Sequence, residues 1–187
     1  TLPDGSTRKL PEGATGADLA ADIGPGLAKA ALVVTVDGDA RDLDRVLPDG
    51  STVSIVTASS DDGLHTIRHS TAHVLAQAVL DLWPGATYAI GPPIQDGFYY
   101  DVHLDTTLTP DDLKKIQKLM RRKVSQKLTF ERTEMPIDDA IDRFGGMNQD
   151  FKVELLNDLK TRGTTAVADL DDENLVGGSV DSVTIYT

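Results

Sequence analysis

Arg68-His69-Ser70-Thr71-Ala72-His73-Val74-Leu75-Ala76-Gln77-Ala78-Val79 separates two unlike halves of the chain. Apolar Ile67, Val74, Leu75, Ala78, Val79 and Leu82 recur at helical spacing, which predicts an amphipathic helix from about Thr66 to Leu82. Trp83-Pro84-Gly85 stops it, because proline cannot continue a helix. His65, His69 and His73 lie four residues apart on one line of that helix, so adjacent imidazoles can converge on one ligand. Imidazole titrates nearest neutral pH of all side chains, which suits it to proton transfer and metal ligation. Three uses stay open at this point: a pair of zinc ligands completed from elsewhere, a pair that orients a water or takes its proton, or two structural hydrogen-bonding groups. Ser70 follows His69 where the zincin motif carries Glu, which argues against metalloprotease chemistry.

Residues 1–57 read as strands and turns around one short helix. Asp4-Gly5, Asp37-Gly38 and Asp49-Gly50 are turn pairs, the first two placed to close hairpins. Thr15 caps a helix through Ala17–Ile23 that Gly24-Pro25-Gly26 ends. Ala31–Val36 and Thr52–Thr57 are β-branched and strand-like. Hairpin, helix, then strands is the order of a small β-grasp module of the ubiquitin type, with a helix across a mixed sheet. Such a unit serves binding or docking, and none of its residues has catalytic character. Ala58-Ser59-Ser60-Asp61-Asp62-Gly63 has the composition of an exposed linker. The expected organisation is therefore a β-grasp domain over residues 1–60 and a larger α+β domain over 64–187, an α+β chain overall.

Beyond the histidine helix, Tyr88–Val102 reads as strand, turn, strand, with Gly91 able to let backbone approach a ligand and Tyr99 and Tyr100 on opposite faces. Thr109-Pro110-Asp111-Asp112 opens a helix to about Leu128, with Leu113, Ile116, Met120 and Val124 as its inner stripe. Its outer face carries Lys114, Lys115, Lys118, Arg121, Arg122, Lys123 and Lys127, seven cations in fourteen residues. The net charge of -12 argues against nucleic acid as a bulk property, yet this local patch can meet RNA phosphates or be a solvated helix face. A strand is expected over Leu128–Glu134, helices from Pro136 to Gly145-Gly146 and over Phe151–Leu156, and a mobile loop from Asp169 to Ser179.

The 187 residues suffice for one large domain or two small ones. Aromatic residues are only 5%, so aliphatic side chains supply most of the core. Without cysteine there is neither a disulfide framework nor a Cys-rich zinc site within these residues. No apolar run approaches the roughly 20 residues needed to span a bilayer, and no signal-peptide pattern is read at the start of these residues. A soluble protein without membrane partners, compatible with a cytosolic compartment, is expected. The start at Thr1 and the stop inside Val183-Thr184-Ile185-Tyr186-Thr187 read as cuts in a longer protein.

Several of these stretches occur together in one known family. The module ending Ser54-Ile55-Val56-Thr57-Ala58, the Ile67–His73 helix, Leu82-Trp83-Pro84, Ala89-Ile90-Gly91-Pro92 and Gly97-Phe98-Tyr99-Tyr100-Asp101 closely resemble the N-terminal part of bacterial-type threonyl-tRNA synthetases. The resemblance covers essentially the whole chain. It implies a TGS domain followed by an editing domain that hydrolyses serine from mischarged tRNA(Thr). The histidine pair alone is less specific, since alanyl-tRNA synthetase editing domains resemble it too. The resemblance further implies that His69 and His73 form the first editing motif and that Lys152, in Phe-Lys-Val, stands in the editing pocket as a third catalytic residue. Tyr100, Gly91 and Pro92 would shape the substrate pocket, and Lys114, Lys118, Arg121 and Arg122 are candidates for tRNA contact. It implies no metal or cofactor within these residues. ATP, Mg and a structural zinc belong to parts of such enzymes outside them, as does the dimer interface of a homodimeric cytoplasmic parent. The family's later Cys-x-x-x-His motif is absent because the chain ends first, which leaves half of the editing site unaccounted for. Retained editing and a mere tRNA-binding role are both open.

Overall fold

Two capping boxes set where helices begin. A computed structural model describes residues 1–163 and 180–186 of the chain. Helix α1, Gly16–Ile23, starts after Thr15, whose side chain accepts from the Asp18 backbone N–H while the Asp18 carboxylate accepts from Thr15. This satisfies donors that the first helical turn otherwise leaves unpaired. Gly24-Pro25-Gly26 ends α1 as expected but also opens a second helix, α2, Pro25–Ala30, which the sequence reading does not include. Proline at the first helical position is pre-organised for a helix and gives up no needed donor there.

Strand β1, Ala31–Val36, runs antiparallel to β2, Asp39–Arg41, through a two-residue turn at Asp37-Gly38 with positive φ at both positions, and antiparallel to β3, Val53–Thr57. The sheet order is β2-β1-β3. The expected mixed sheet and N-terminal hairpin are not found as such. Asp4-Gly5 does turn, with the Leu2 N–H donating to the Ser6 carbonyl at 2.8 Å, but its flanks form no strands. Pro3 has no donor to offer a ladder there. A parallel pattern is confined to Thr1, which donates to the Ser51 carbonyl and accepts from the Val53 N–H. Leu19, Val34, Val36 and Val53 form the buried core of this sheet and its helix, with Leu10, Leu43 and Leu47 packed around it. Burying such side chains contributes about 1.5–3 kcal/mol each.

Helix α3, Asp61–Leu82, begins earlier than Thr66. Asp61-Asp62-Gly63, read above as linker, is its first turn. The Ser60 hydroxyl accepts from the Gly63 N–H at 3.1 Å, and two carboxylates lie at the positive end of the helix dipole. Gly63 is buried, and any β-carbon there would overlap the Thr57 carbonyl oxygen, so this glycine serves close packing rather than flexibility. The chain falls into two compact units, Thr1–Thr71 with Pro93–Phe98, and Ala72–Pro92 with Tyr99–Thr187. In the first, β5, Pro93–Ile94, pairs with β6, Gly97–Phe98.

The second unit holds two aliphatic clusters. One gathers Ala78 and Val79 of α3 with Ala86 and Ile116. Beside it β4, Thr87–Tyr88, pairs with β7, Val102–His103. Helix α4, Pro110–Ser125, has the expected cap: Thr109 and Asp112 form a second capping box. Its inner face differs from the expected stripe. Ile116 is buried, with Leu119 and Met120 packed beside it, whereas Leu113 and Val124 are 57% and 65% exposed. Helical spacing identified an apolar line, but neighbours distant in sequence decide which line is covered.

The second cluster joins Ile137 and Ala140 of α5, Ile137–Gly146, to Leu156 of α6, Asp150–Arg162. Both helices occur where expected. Strand β8 is Arg132–Pro136, four residues beyond the expected start at Leu128, because its register is set by antiparallel pairing with β9, Ser182–Tyr186. Lys127, with φ 52°, turns the chain before it, and Leu128 and Phe130 stay exposed. The expected loop from Asp169 to Ser179 lies outside the described residues. Among those described, no helix is long and apolar enough to cross a membrane.

Candidate functional site

Gln149, at the N-cap position of α6, is only 4% exposed. Burying an amide is unfavourable unless its polar atoms are paired, and here they are. The carboxamide nitrogen donates to the Ala86 carbonyl at 3.0 Å, and its oxygen accepts from the Tyr88 N–H at 3.2 Å. The start of α6 is thereby fastened to β4. Lys152, less than a turn into the helix, then places its Nζ 5.1 Å from the Tyr88 ring centroid. An ammonium over an aromatic face is attracted by the ring quadrupole. Burial holds the Lys152 pKa below the usual lysine value, and among the described residues no carboxylate pairs with it.

Tyr100 completes this group. Its ring meets Tyr88 edge-on at 5.9 Å, the geometry aromatic quadrupoles favour. Backbone bonds from the Ala89 N–H to the Asp101 carbonyl and from the Asp101 N–H to the Ile90 carbonyl, both 3.0 Å, carry the β4–β7 pairing inward and bring Tyr100 onto Gly91. A β-carbon at Gly91 would overlap the Tyr100 ring. The close approach that glycine permits is therefore made here to Tyr100, and Pro92 follows half-buried. Burial raises the Tyr88 pKa and pushes Tyr100 up to about 12, so both phenols remain neutral hydroxyls at pH 7.

His73 belongs to another aromatic group in the same unit. Its imidazole lies 6.1 Å from the Phe130 ring, edge-on, and 6.3 Å from Tyr186. His69, four residues earlier on α3, is surface-exposed, yet partial burial of its ring and then the charge of His65 hold its pKa below the usual imidazole value. A neutral imidazole can accept a proton from water. Among the described residues, no three His, Asp or Glu side chains gather as a metal site would require.

On α4, ion pairs sort the cations. Lys114 bonds Asp111 at 2.8 Å and Lys115 bonds Asp112 at 2.9 Å. Lys123, expected on the outer face, has a side chain only 14% exposed and pairs with Asp81 of α3 at 2.7 Å. Lys118, Arg121 and Arg122 are exposed and have no ion pair among the described residues.

Sequence reasoning brought Lys152, Tyr100 and Gly91 forward, and the fold gathers these three. It missed Tyr88 and Gln149. Tyr88 had a signal: if residues 88 and 102 pair, Tyr100 is its diagonal cross-strand neighbour, within reach of an aromatic ring. Gln149 had none.

A family profile for the TGS domain matches residues 1–57, so the class defined by the first unit is the β-grasp TGS module, and the chain as a whole is α+β. Beyond that module the chain is similar to bacterial threonine-tRNA ligases. It is 53% identical to the threonine-tRNA ligase of Geobacter sp. (strain M21) over 159 residues, 85% of this chain and 25% of the relative. It is 49% identical to that of Maricaulis maris over 89% of the chain and 26% of the relative, and 44% identical to that of Pelobacter propionicus over 95% and 28%. The chain thus spans about a quarter of the length of the curated relatives it matches.

Proposed function

We propose that this chain is the N-terminal part of a threonine-tRNA ligase and that residues 64–187 contribute an editing domain that hydrolyses mischarged seryl-tRNA(Thr). The observation that carries the reading is the length of the similarity. A match of 159 residues to a ligase cannot be held by the 57 residues of the TGS module, so most of the second domain is also shared with those enzymes. The chemistry supplies the need. Serine lacks threonine's methyl group, and one methyl is worth only about 1–3 kcal/mol of discrimination, so a hydrolytic second site improves accuracy.

In this reaction a water oxygen bonds to the seryl carbonyl carbon and the ester bond to the tRNA ribose breaks. The ribose oxygen takes a proton and serine leaves. His73 or His69 orients the water and receives its proton, a role that suits a neutral imidazole. Lys152 stabilises the developing oxyanion; its burial supports this, because charge acts more strongly where water is excluded. Tyr100 and the Gly91-Pro92 backbone bound the pocket. The ligase activity itself, with its ATP, Mg and structural zinc, the homodimer and the cytoplasmic location are proposals for the longer protein. The test is release of serine from seryl-tRNA(Thr) by the purified chain and by the longer ligase. Hydrolysis above a His73→Ala control is expected, and none by either protein overturns the editing role.

The cations of α4 that have no ion pair among the described residues, Lys118, Arg121 and Arg122, favour a second reading, a tRNA-binding module without catalytic competence. Reversing Lys118, Arg121 and Arg122 to Glu is then expected to weaken tRNA(Thr) binding and flatten its dependence on salt; unchanged binding rejects α4 as the contact.

A further inference from the structure

We infer that Tyr88 is the positioning residue for Lys152, acting through the face of its ring rather than through its hydroxyl. The role of Lys152 rests on the editing reading above; the seating of Lys152 does not. Two attachments run from the start of α6 to this one residue. The Gln149 carboxamide accepts from the Tyr88 backbone N–H, and the Lys152 ammonium lies over the Tyr88 ring. The ring is itself held by Tyr100, which meets it edge-on at 5.9 Å and is packed against Gly91. A lysine has four rotatable stem bonds and no preferred direction. Here a fixed aromatic plane supplies the direction.

The kind of seat matters for chemistry. A carboxylate beneath Lys152 would pair with the ammonium and compete with any developing oxyanion. An aromatic face attracts the cation without a formal charge, so the ammonium keeps its capacity to stabilise an anion on its other side. The charged groups at hand are consistent with this. Tyr88 faces Lys152 as a neutral phenol, Tyr100 beside it is neutral too, and among the described residues no acid from any element pairs with Lys152.

The experiment follows Lys152 directly. In the full chain with lysines reductively methylated with carbon-13, the Lys152 resonance is assigned by its loss in Lys152→Arg, and its titration midpoint is measured by NMR. Tyr88→Leu removes the ring and is expected to lower the midpoint further, because burial remains while the attraction is lost. Tyr88→Phe restores it. Tyr88→pentafluorophenylalanine keeps the ring's shape but reverses its quadrupole, and is expected to lower the midpoint as Leu does, independent of any packing defect. A midpoint unchanged or raised in both the Leu and the fluorinated variants overturns the proposal, since a merely structural role would open the site to water and move Lys152 toward its ordinary value. Seryl-tRNA(Thr) hydrolysis measured alongside is expected to slow about tenfold in Tyr88→Leu and recover in Tyr88→Phe, within what a partly desolvated cation–π contact supplies. If the wild-type chain and longer ligase hydrolyse nothing while the midpoints move as expected, the editing reading fails and the seat stands.

Discussion

The sheet unit and the second unit bury different chemistry. Around Val34 and Val36, both fully buried, the first core is aliphatic throughout. The second unit has aliphatic clusters too, but beside them it encloses the Gln149 carboxamide and draws the Lys152 ammonium and the two phenols out of water. Aliphatic burial is favourable wherever it occurs. Polar burial is unfavourable unless each group finds a partner, so a fold that retains it marks a place where chemistry is worth testing. Stability and activity should therefore respond to different residues.

The largest effect expected is on activity. Lys152→Met should slow seryl-tRNA(Thr) hydrolysis by about 100-fold, the scale on which a lost oxyanion partner acts. Its effect on stability should have the opposite sign. Because burial lowers the folded-state pKa of Lys152, the folded chain binds that proton less tightly than the unfolded chain does. The charged lysine is a penalty below the folded pKa that fades as pH rises to the unfolded value. Denaturant titration at pH 7 should find the Met variant no less stable than wild type, and a clear loss of stability would break the contrast.

Val34→Ala should behave conversely. Two methyl groups leave a fully buried position, which should cost about 2–3 kcal/mol in denaturant unfolding while the Lys152 midpoint stays where it was. Gln149→Leu falls between. It leaves the Tyr88 N–H and the Ala86 carbonyl without their side-chain partner and should cost about 1–2 kcal/mol, with earlier hydrogen exchange at the Tyr88 amide. The smallest effect lies on the surface of α4. Hydrogen bonds from Thr109, then that from Lys115, hold the Asp112 pKa down to about 2 against 3.8. Its contribution to the helix is therefore present above about pH 4 and lost as pH falls through about 2, and Asp112→Asn should remove that part of the acid dependence seen by circular dichroism.

Much of the fold was legible because it is written locally. Both capping boxes, the Asp37-Gly38 turn, the stop after Leu82 and the helix after Pro136 depend on residues within a turn of one another. Errors arose where a local signal had two readings. Asp61-Asp62-Gly63 has a linker's composition and also a helix start's charge, and Gly24-Pro25 both ends one helix and begins another. At the candidate site, the roles of Lys152 and Tyr100 came from resemblance to a family, whereas Gly91 was marked by its residue type as a place for close backbone approach.

By itself the sequence determined the α+β pattern, the placement of the histidines four residues apart on one helix, and a cation-rich α4. Those properties follow from backbone periodicity and from interactions that close within one or two turns. Tertiary structure alone decided that Lys123 turns inward to Asp81, that Leu113 and Val124 stay exposed, and that β8 takes its register from β9. It also decided that Lys152 rests on Tyr88, whose backbone is bonded by a glutamine 61 residues away. Burial and desolvation depend on which distant surfaces meet, and no local pattern carries that information.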